Sequence, residues 1–326
     1  MAKTVSLVLG SGGARGYAHI GVIDELLARG YEISAIAGCS MGALVGGLYA
    51  AGRLEAYREW VMELKYLDVI RLLDLSFRSP GVFRGGRVLE AMSSMVGDRL
   101  IEDLPIPYTA VATDLNARKE IWFQEGDLLQ AIRASIAIPS LFTPVEYNGR
   151  LLVDGGVLNP IPIAPTVSAH TDLIIAVDLN ADIAPLQIAC DPVPAAKEQR
   201  ILERWFRKLR KGGSDDDSDE SMQQTVELAS GKTGILDIVN QSLEIMQEVL
   251  TRHQMAAYSA DVLIPVSARQ CRFYEFHRAE DLIQVGRLQA ASLLEQYPQF
   301  AVSQEEGEEG VAGQSDTVSD CRPSQE

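Results

Sequence analysis

Residues 33–47, ISAIAGCSMGALVGG, constrain this chain more than any other stretch. A run of β-branched and small apolar residues, Ile33 to Ala37, meets Gly38-Cys39-Ser40-Met41-Gly42. A small-residue helical pattern follows. Strand, sharp turn and helix with a serine at the apex make the G-x-S-x-G nucleophile-elbow pattern. Glycines two positions either side of the serine suit a turn that neighbouring backbone passes closely, where a side chain would crowd it. The elbow lifts Ser40 Oγ clear of its own main chain. It also sets the hydroxyl at a helix N-terminus, whose field favours developing negative charge. Five residues with three fixed positions also arise by chance, so the weight of the pattern depends on what the rest of the chain offers.

The elbow sits in a β-α-β-α opening. Residues 4–9 read as a buried strand, 10–16 (GSGGARG) as a glycine-rich turn, and 17–29 as a helix ended by Gly30. The second strand covers 33–37 and its helix 41–51. Short connections between alternating strands and helices imply a three-layer α/β/α architecture on a mostly parallel sheet. Further helices are expected over 53–73, 87–96 and 127–137, with Asp127 as cap and Pro139 as stop. A glycine- and proline-rich loop is expected over 76–86. Strands are expected at 108–113, 120–124, 142–147, 150–153 and 172–178, and Asn148-Gly149 signals a hairpin. Residues 1–180 therefore read as the catalytic core and 181–235 as an insertion. A helix at 236–257 (Leu236, Val239, Leu243, Met246, Leu250), a strand at 261–266 and a helix at 278–297 complete the core within 236–300. Residues 211–224 and 301–326 are acidic and polar, and read as disordered.

Charge and cysteine usage narrow the function classes. A formal net charge of −16 argues against general nucleic-acid binding. Cys39, Cys190, Cys271 and Cys321 show no CxxC spacing and read as free thiols in a reducing compartment. Cys39 lies beside Ser40, but a buried small residue in the elbow accounts for it better than a reactive one. The N-terminus lacks a secretory pattern, and no run reaches the roughly 18 apolar residues that span a bilayer. The expected location is cytoplasmic.

A serine hydroxyl needs a group to take its proton. The four histidines, His19, His170, His253 and His277, have no flanking signature that singles one out. A Ser-His-Asp triad is therefore unsupported, though sequence distance alone does not exclude it. Asp154 is different. It ends the strand LLVD and heads Gly155-Gly156, so it is expected at the C-terminal edge of the sheet, where open α/β sheets hold ligands. The alternative for Asp154 is a turn residue that bonds its own backbone. An ordinary aspartate, with a pKa near 3.9, is a weak base at neutral pH, so partial desolvation would have to help it. Residues 11–16, SGGARG, leave backbone N–H groups exposed at a helix start, where they can hold an oxyanion or phosphate. The loop is not a dinucleotide signature, because Arg15 stands where the third glycine would be. Gly231-Lys232-Thr233 lacks the glycine and strand of a phosphate-binding loop.

Taken together, these blocks resemble the patatin-like phospholipase family, in particular its bacterial branch related to neuropathy target esterase. The resemblance covers about residues 5–180 in order: Gly10 to Gly16, Gly38 to Gly42, Arg133 to Pro139, and Asp154-Gly155-Gly156. It implies a patatin-like fold with Ser40 as nucleophile and Asp154 as partner in a two-member dyad, without histidine, metal or cofactor. Gly12, Gly13 and Ala14 would supply an oxyanion hole. Arg15 would support the loop or meet an anionic headgroup, and Gly38, Gly42, Pro139, Gly155 and Gly156 would shape the site. Ser11 departs from the pattern, standing where glycine is usual. The implied substrate is a lipid or other acyl ester. A small-ester or thioester hydrolase and a non-catalytic adaptor are the competing readings.

Residues 197–211 stand apart. Ile201, Leu202, Trp205, Phe206 and Leu209 share one helical face, and seven basic side chains against two acidic ones occupy the rest. Such a helix either packs its apolar face on the core or lies on an anionic membrane. In the adaptor reading, the acidic segments are where a protein partner of unknown identity would bind.

Overall fold

The computed structural model describes residues 2–64, 68–69, 86–139, 141–188 and 235–302. The expected loop over 76–86 (apart from its last residue, Gly86, which opens a helix), the insertion with its basic stretch at 197–211 and acidic segment at 211–224, and the acidic tail beyond Val302 lie outside the described residues.

Among the described residues, eight strands build one sheet: β1 (Thr4–Leu9), β2 (Glu32–Cys39), β3 (Tyr108–Asp114), β4 (Lys119–Phe123), β5 (Val145–Tyr147), β6 (Arg150–Asp154), β7 (Leu173–Ala181) and β8 (Val262–Ser267). Their order is β5-β6-β3-β2-β1-β7-β8, with β4 also paired to β3. The β3-β2-β1-β7-β8 run is parallel throughout. β4, β5 and β6 add antiparallel pairings at one end. The helices are α1 (Ala18–Ala28), α2 (Met41–Ala50), α3 (Leu54–Met62), α4 (Gly86–Val96), α5 (Leu128–Ser135), α6 (Ile235–Ala257) and α7 (Ala279–Leu294). Mostly parallel strands between helical layers give the expected α/β/α class.

The two faces of the sheet are unequal. Alternate residues of β1 point to opposite sides, as strand geometry requires. Val5, Leu7 and Leu9 join the main core with α1, α2, α5 and α7. Val8 joins a much smaller cluster with Ile161, Ile163 and Ala176, against which Met255 of α6 packs. The C-terminal elements sit within this architecture: β8 extends the sheet beside β7, and α7 packs along α1. α3 closes at Met62 with Glu63 as its C-cap residue, and most of the expected helical stretch beyond Leu64 lies outside the described residues. In α6, Val239 and Met246 are exposed while Leu243 and Leu250 are half-buried, so only part of the apolar set faces the protein.

The pairing around β3 positions the site. Residues 110 and 111 of β3 pair with both β4 and β2, so those two strands lie on opposite edges. Residues 112 to 114 pair with both β4 and β6, so β6 is also opposite β4. Strands β2 and β6 therefore share one edge of β3, running toward each other. β2 ends with Cys39 opposite Val111, and β6 ends with Asp154 opposite Ala112, the next rung. Asp154 does lie level with the C-terminal ends of the parallel strands. It arrives there on a strand of opposite sense, not as the end of a further parallel strand.

Candidate active site

The chain leaves β2 at Cys39 and enters α2 at Met41 within one residue. Ser40 takes the whole turn, with φ 55° and ψ −124°. A non-glycine residue with positive φ is strained, and such strain persists only where surroundings enforce it. One enforcing group is Ser135, the last residue of α5. Its Oγ accepts the Ser40 N–H at 2.9 Å and donates its own proton to the Val111 carbonyl at 2.6 Å. The other constraint is space. A Cβ on Gly42 would stand 2.0 Å from the Leu9 carbonyl oxygen, so the first turn of α2 lies against the end of β1. Ser40 Oγ makes no capping bond to α2.

Asp154 is equally confined. Its N–H donates to the Ala137 carbonyl at 3.0 Å, and Oδ1 accepts the Gly156 N–H at 2.8 Å. A Cβ on Gly155 would stand 2.2 Å from the Val111 carbonyl oxygen, so the turn after β6 hugs β3. The Cys39 thiol points at Oδ1 from 3.8 Å. Burial pushes the Asp154 carboxyl up to about 6, with the Ser40 hydroxyl, the Gly156 N–H and the Cys39 thiol drawing it partly back. Ser40 Oγ and Asp154 Oδ2 line the same cleft, and both are buried without a hydrogen-bond partner of ordinary geometry. Catalytic hydrogen bonds in ligand-free sites are often long and tighten only when substrate arrives. Cys39 itself is fully buried, and that burial, followed by the Asp154 charge, holds its thiol well above the usual range. It is a packed residue rather than a reactive one.

The loop after β1 offers fewer donors than its sequence suggests. Ala14 N–H already donates to the Phe273 carbonyl at 2.7 Å, so in this arrangement it does not face a substrate. Ser11 N–H is likewise committed, to the Pro160 carbonyl at 2.8 Å. The N–H groups of Gly12 and Gly13 make no bond among the described residues, and both glycines line the cleft. Gly12 caps and Gly13 opens a 3-10 turn, Gly13–Tyr17, that leads into α1, so the field of a helix start reinforces them.

Arg15 does not reach a ligand. It is 1% exposed, and its guanidinium donates to the Ala268 and Cys271 carbonyls, to Asn180 Oδ1 and, at 2.7 Å, to Glu244 Oε1. Of the two roles expected for it, loop support matches this geometry. A headgroup contact does not, because the charge is buried and paired with Glu244. Pro139 lines the same cleft as Ser40.

None of the four histidines lines the cleft. His19 is fully buried, with Nε2 2.8 Å from the Gly10 carbonyl oxygen. Burial pushes its pKa down to about 4, so the ring is neutral and Nε2 is the donor. It braces the start of the loop.

Three features were not legible from the motifs: the Ser135 anchor, the Asn180 link between loop and β7, and the roof. Asn180 Nδ2 donates to the Ser11 carbonyl at 2.9 Å while its Oδ1 receives Arg15. The roof is α6, which contributes Asn240, Leu243, Glu244 and Gln247 above the dyad. It leaves a cavity of about 40 Å³ over Ser40 and Asp154.

A family model described as patatin-like phospholipase matches residues 7–167. An uncharacterized NTE family protein of Mycobacterium tuberculosis is 42% identical over 90% of this chain and 92% of its own length. The patatin-like phospholipase domain-containing protein 6 of Mus musculus is 34% identical over 55% of this chain and 14% of its own. Among solved structures, VipD from Legionella pneumophila superposes with a TM-score of 0.50 at 16% identity, covering 90% of this chain and 67% of that one, which is a likeness of fold alone.

Proposed function

The chain belongs to the patatin-like phospholipase family, within its NTE-related branch, and from that premise we propose that it is a serine hydrolase of fatty-acyl esters in (lyso)phospholipids or related lipids. Membership supports lipid hydrolysis in general terms. The dyad mechanism rests on one observation: two strands run head to head along one edge of β3, ending in a hydroxyl and a carboxylate on neighbouring rungs.

The chemistry follows from the surroundings of each group. Ser40 Oγ attacks the ester carbonyl carbon while Asp154 takes its proton. A carboxyl near pKa 6 is a better base than an ordinary aspartate and is still ionised at neutral pH. The carbonyl oxygen becomes an oxyanion facing the free N–H groups of Gly12 and Gly13. The C–O bond to the alcohol then breaks, and the departing oxygen takes the proton from Asp154. That leaves an acyl group on Ser40. Water repeats the sequence: Asp154 accepts its proton, hydroxide adds to the acyl carbon, and Ser40 leaves reprotonated with release of the fatty acid. No step asks for a histidine.

The test is fatty-acid release from a lysophospholipid by purified protein, alongside labelling of Ser40 by a fluorophosphonate. Wild-type protein is expected to do both, and Ser40→Ala neither. Ester hydrolysis that survives Ser40→Ala would remove the serine from the mechanism.

A further inference from the structure

We propose that α6 is a movable lid over the dyad, latched by the Arg15–Glu244 ion pair, and that substrate reaches Ser40 only when the N-terminal half of the helix lifts. The proposal rests on the catalytic reading above and adds a closed state to it. The cavity over the dyad is about 40 Å³. Ser40 is 1% exposed and Asp154 3% exposed, so in this arrangement neither group is open to a substrate from outside.

The roof comes from one helix face at spacings of three and four: Asn240, Leu243, Glu244 and Gln247. The two halves of α6 are held differently. Toward its C-terminal end Thr251 is buried and Met255 packs on the smaller core cluster. The half above the dyad is tied to the floor by polar side chains. Glu244 bonds Arg15 at 2.7 Å, Gln247 accepts from Asn180 at 3.3 Å, and Gln247 Nε2 reaches Ser11 Oγ at 3.5 Å. Ile238, Ile245 and Met246 on its other side are exposed. Among the described residues, one end of the helix packs on the core and the other is held over the dyad by polar bonds and Leu243, which gives it a built-in pivot.

Opening has somewhere to lead. Behind the latch lies a second cavity, of about 370 Å³, bordered by the loop Gln270–Glu275. Arg15, Asn240, Glu244 and Phe273 line both cavities, so the ion pair is a shared wall. Withdrawing Glu244 joins the two into a space of ligand-binding size. Arg15 keeps Ala268, Cys271 and Asn180 as acceptors when Glu244 leaves, so the guanidinium is not stranded.

The experiment compares Ser40 labelling by two fluorophosphonates, one with a short and one with a long alkyl group. In Glu244→Ala the rate for the long probe is expected to rise at least tenfold relative to the short one. Gln247→Ala, which leaves Arg15 paired, is expected to shift the same ratio by a smaller factor. A lock complements both. In S11C/Q247C on a background without Cys190 and Cys321, a short cleavable thiol cross-linker should stop labelling, and cutting the linker should restore it. A size ratio unchanged in both single variants, with the cross-linked protein labelled at the uncross-linked rate, would overturn the lid and leave the nucleophile standing. Labelling by neither probe in any variant would overturn the catalytic reading and the lid with it.

Discussion

The floor and the roof of the cleft are built by different means. The floor is backbone: a one-residue turn, two strand ends fixed by pairing to β3, and a loop whose amides are partly committed to distant carbonyls. The roof is a helix held over the site by side chains. Strands in register permit no small adjustment, whereas a few polar contacts can be broken and remade at modest cost. Precision belongs to the part that does chemistry, and compliance to the part that controls access.

The largest effects should come from the floor. Ser40→Ala and Asp154→Asn are each expected to lower hydrolysis on the order of 10⁴-fold or more, as read by fatty-acid release. A near-wild-type rate in Asp154→Asn would show that the strand-end carboxylate is a structural residue. Next is Gly42→Ala, whose methyl group would meet the Leu9 carbonyl oxygen. About 3 kcal/mol or more of stability should be lost, visible as a lowered Tm. Ser135→Ala comes third. It leaves the Ser40 N–H and the Val111 carbonyl without their partner, at a cost of about 1–3 kcal/mol in denaturant unfolding. Its kcat should fall while KM holds, because the relaxed elbow misplaces the hydroxyl. A KM effect alone would place Ser135 outside the elbow's support.

Titration gives a subtler contrast. Asp154 must be ionised to act as a base, so kcat/KM should rise with pH through a limb near 6. Stability runs the other way. The folded carboxyl binds its proton more tightly than the unfolded one, so its contribution is intact below about pH 4 and declines as pH rises to about 6. Asp154→Asn should therefore raise the Tm above pH 6, by at most about 3 kcal/mol in equivalent stability. No stabilisation there would mean that the charged carboxylate is well solvated in its site. The smallest effect belongs to the roof. Gln247→Ala should change stability by less than about 1 kcal/mol, since its two contacts are long.

The same division decides what the sequence discloses. The elbow, the glycine loop and the Asp154 turn are local solutions to local crowding, and the residue types that solve them are few. They were legible for that reason. The direction of β6 was not, because a strand's own pattern does not say which neighbour it pairs with. Nor was the spent Ala14 amide, whose acceptor lies far along the chain at Phe273. The roof resists reading for a further reason. An amphipathic helix is expected to turn its apolar side inward. α6 turns Asn240, Glu244 and Gln247 toward the dyad, with Leu243 the one apolar residue among them, and leaves Ile238, Ile245 and Met246 exposed. Its inward side is defined by partners at Arg15 and Asn180, which sequence periodicity does not encode.

The head-to-head meeting of β2 and β6 makes the separation between hydroxyl and carboxylate a discrete quantity. Strand β3 is a ruler marked in residues, and both groups are read off it at adjacent marks. A slip of one mark turns Asp154 to the wrong side of the sheet, and a slip of two carries it about 6.6 Å away. Substitutions along this edge should therefore leave the dyad in place or lose it outright, with few intermediate grades of activity between the two.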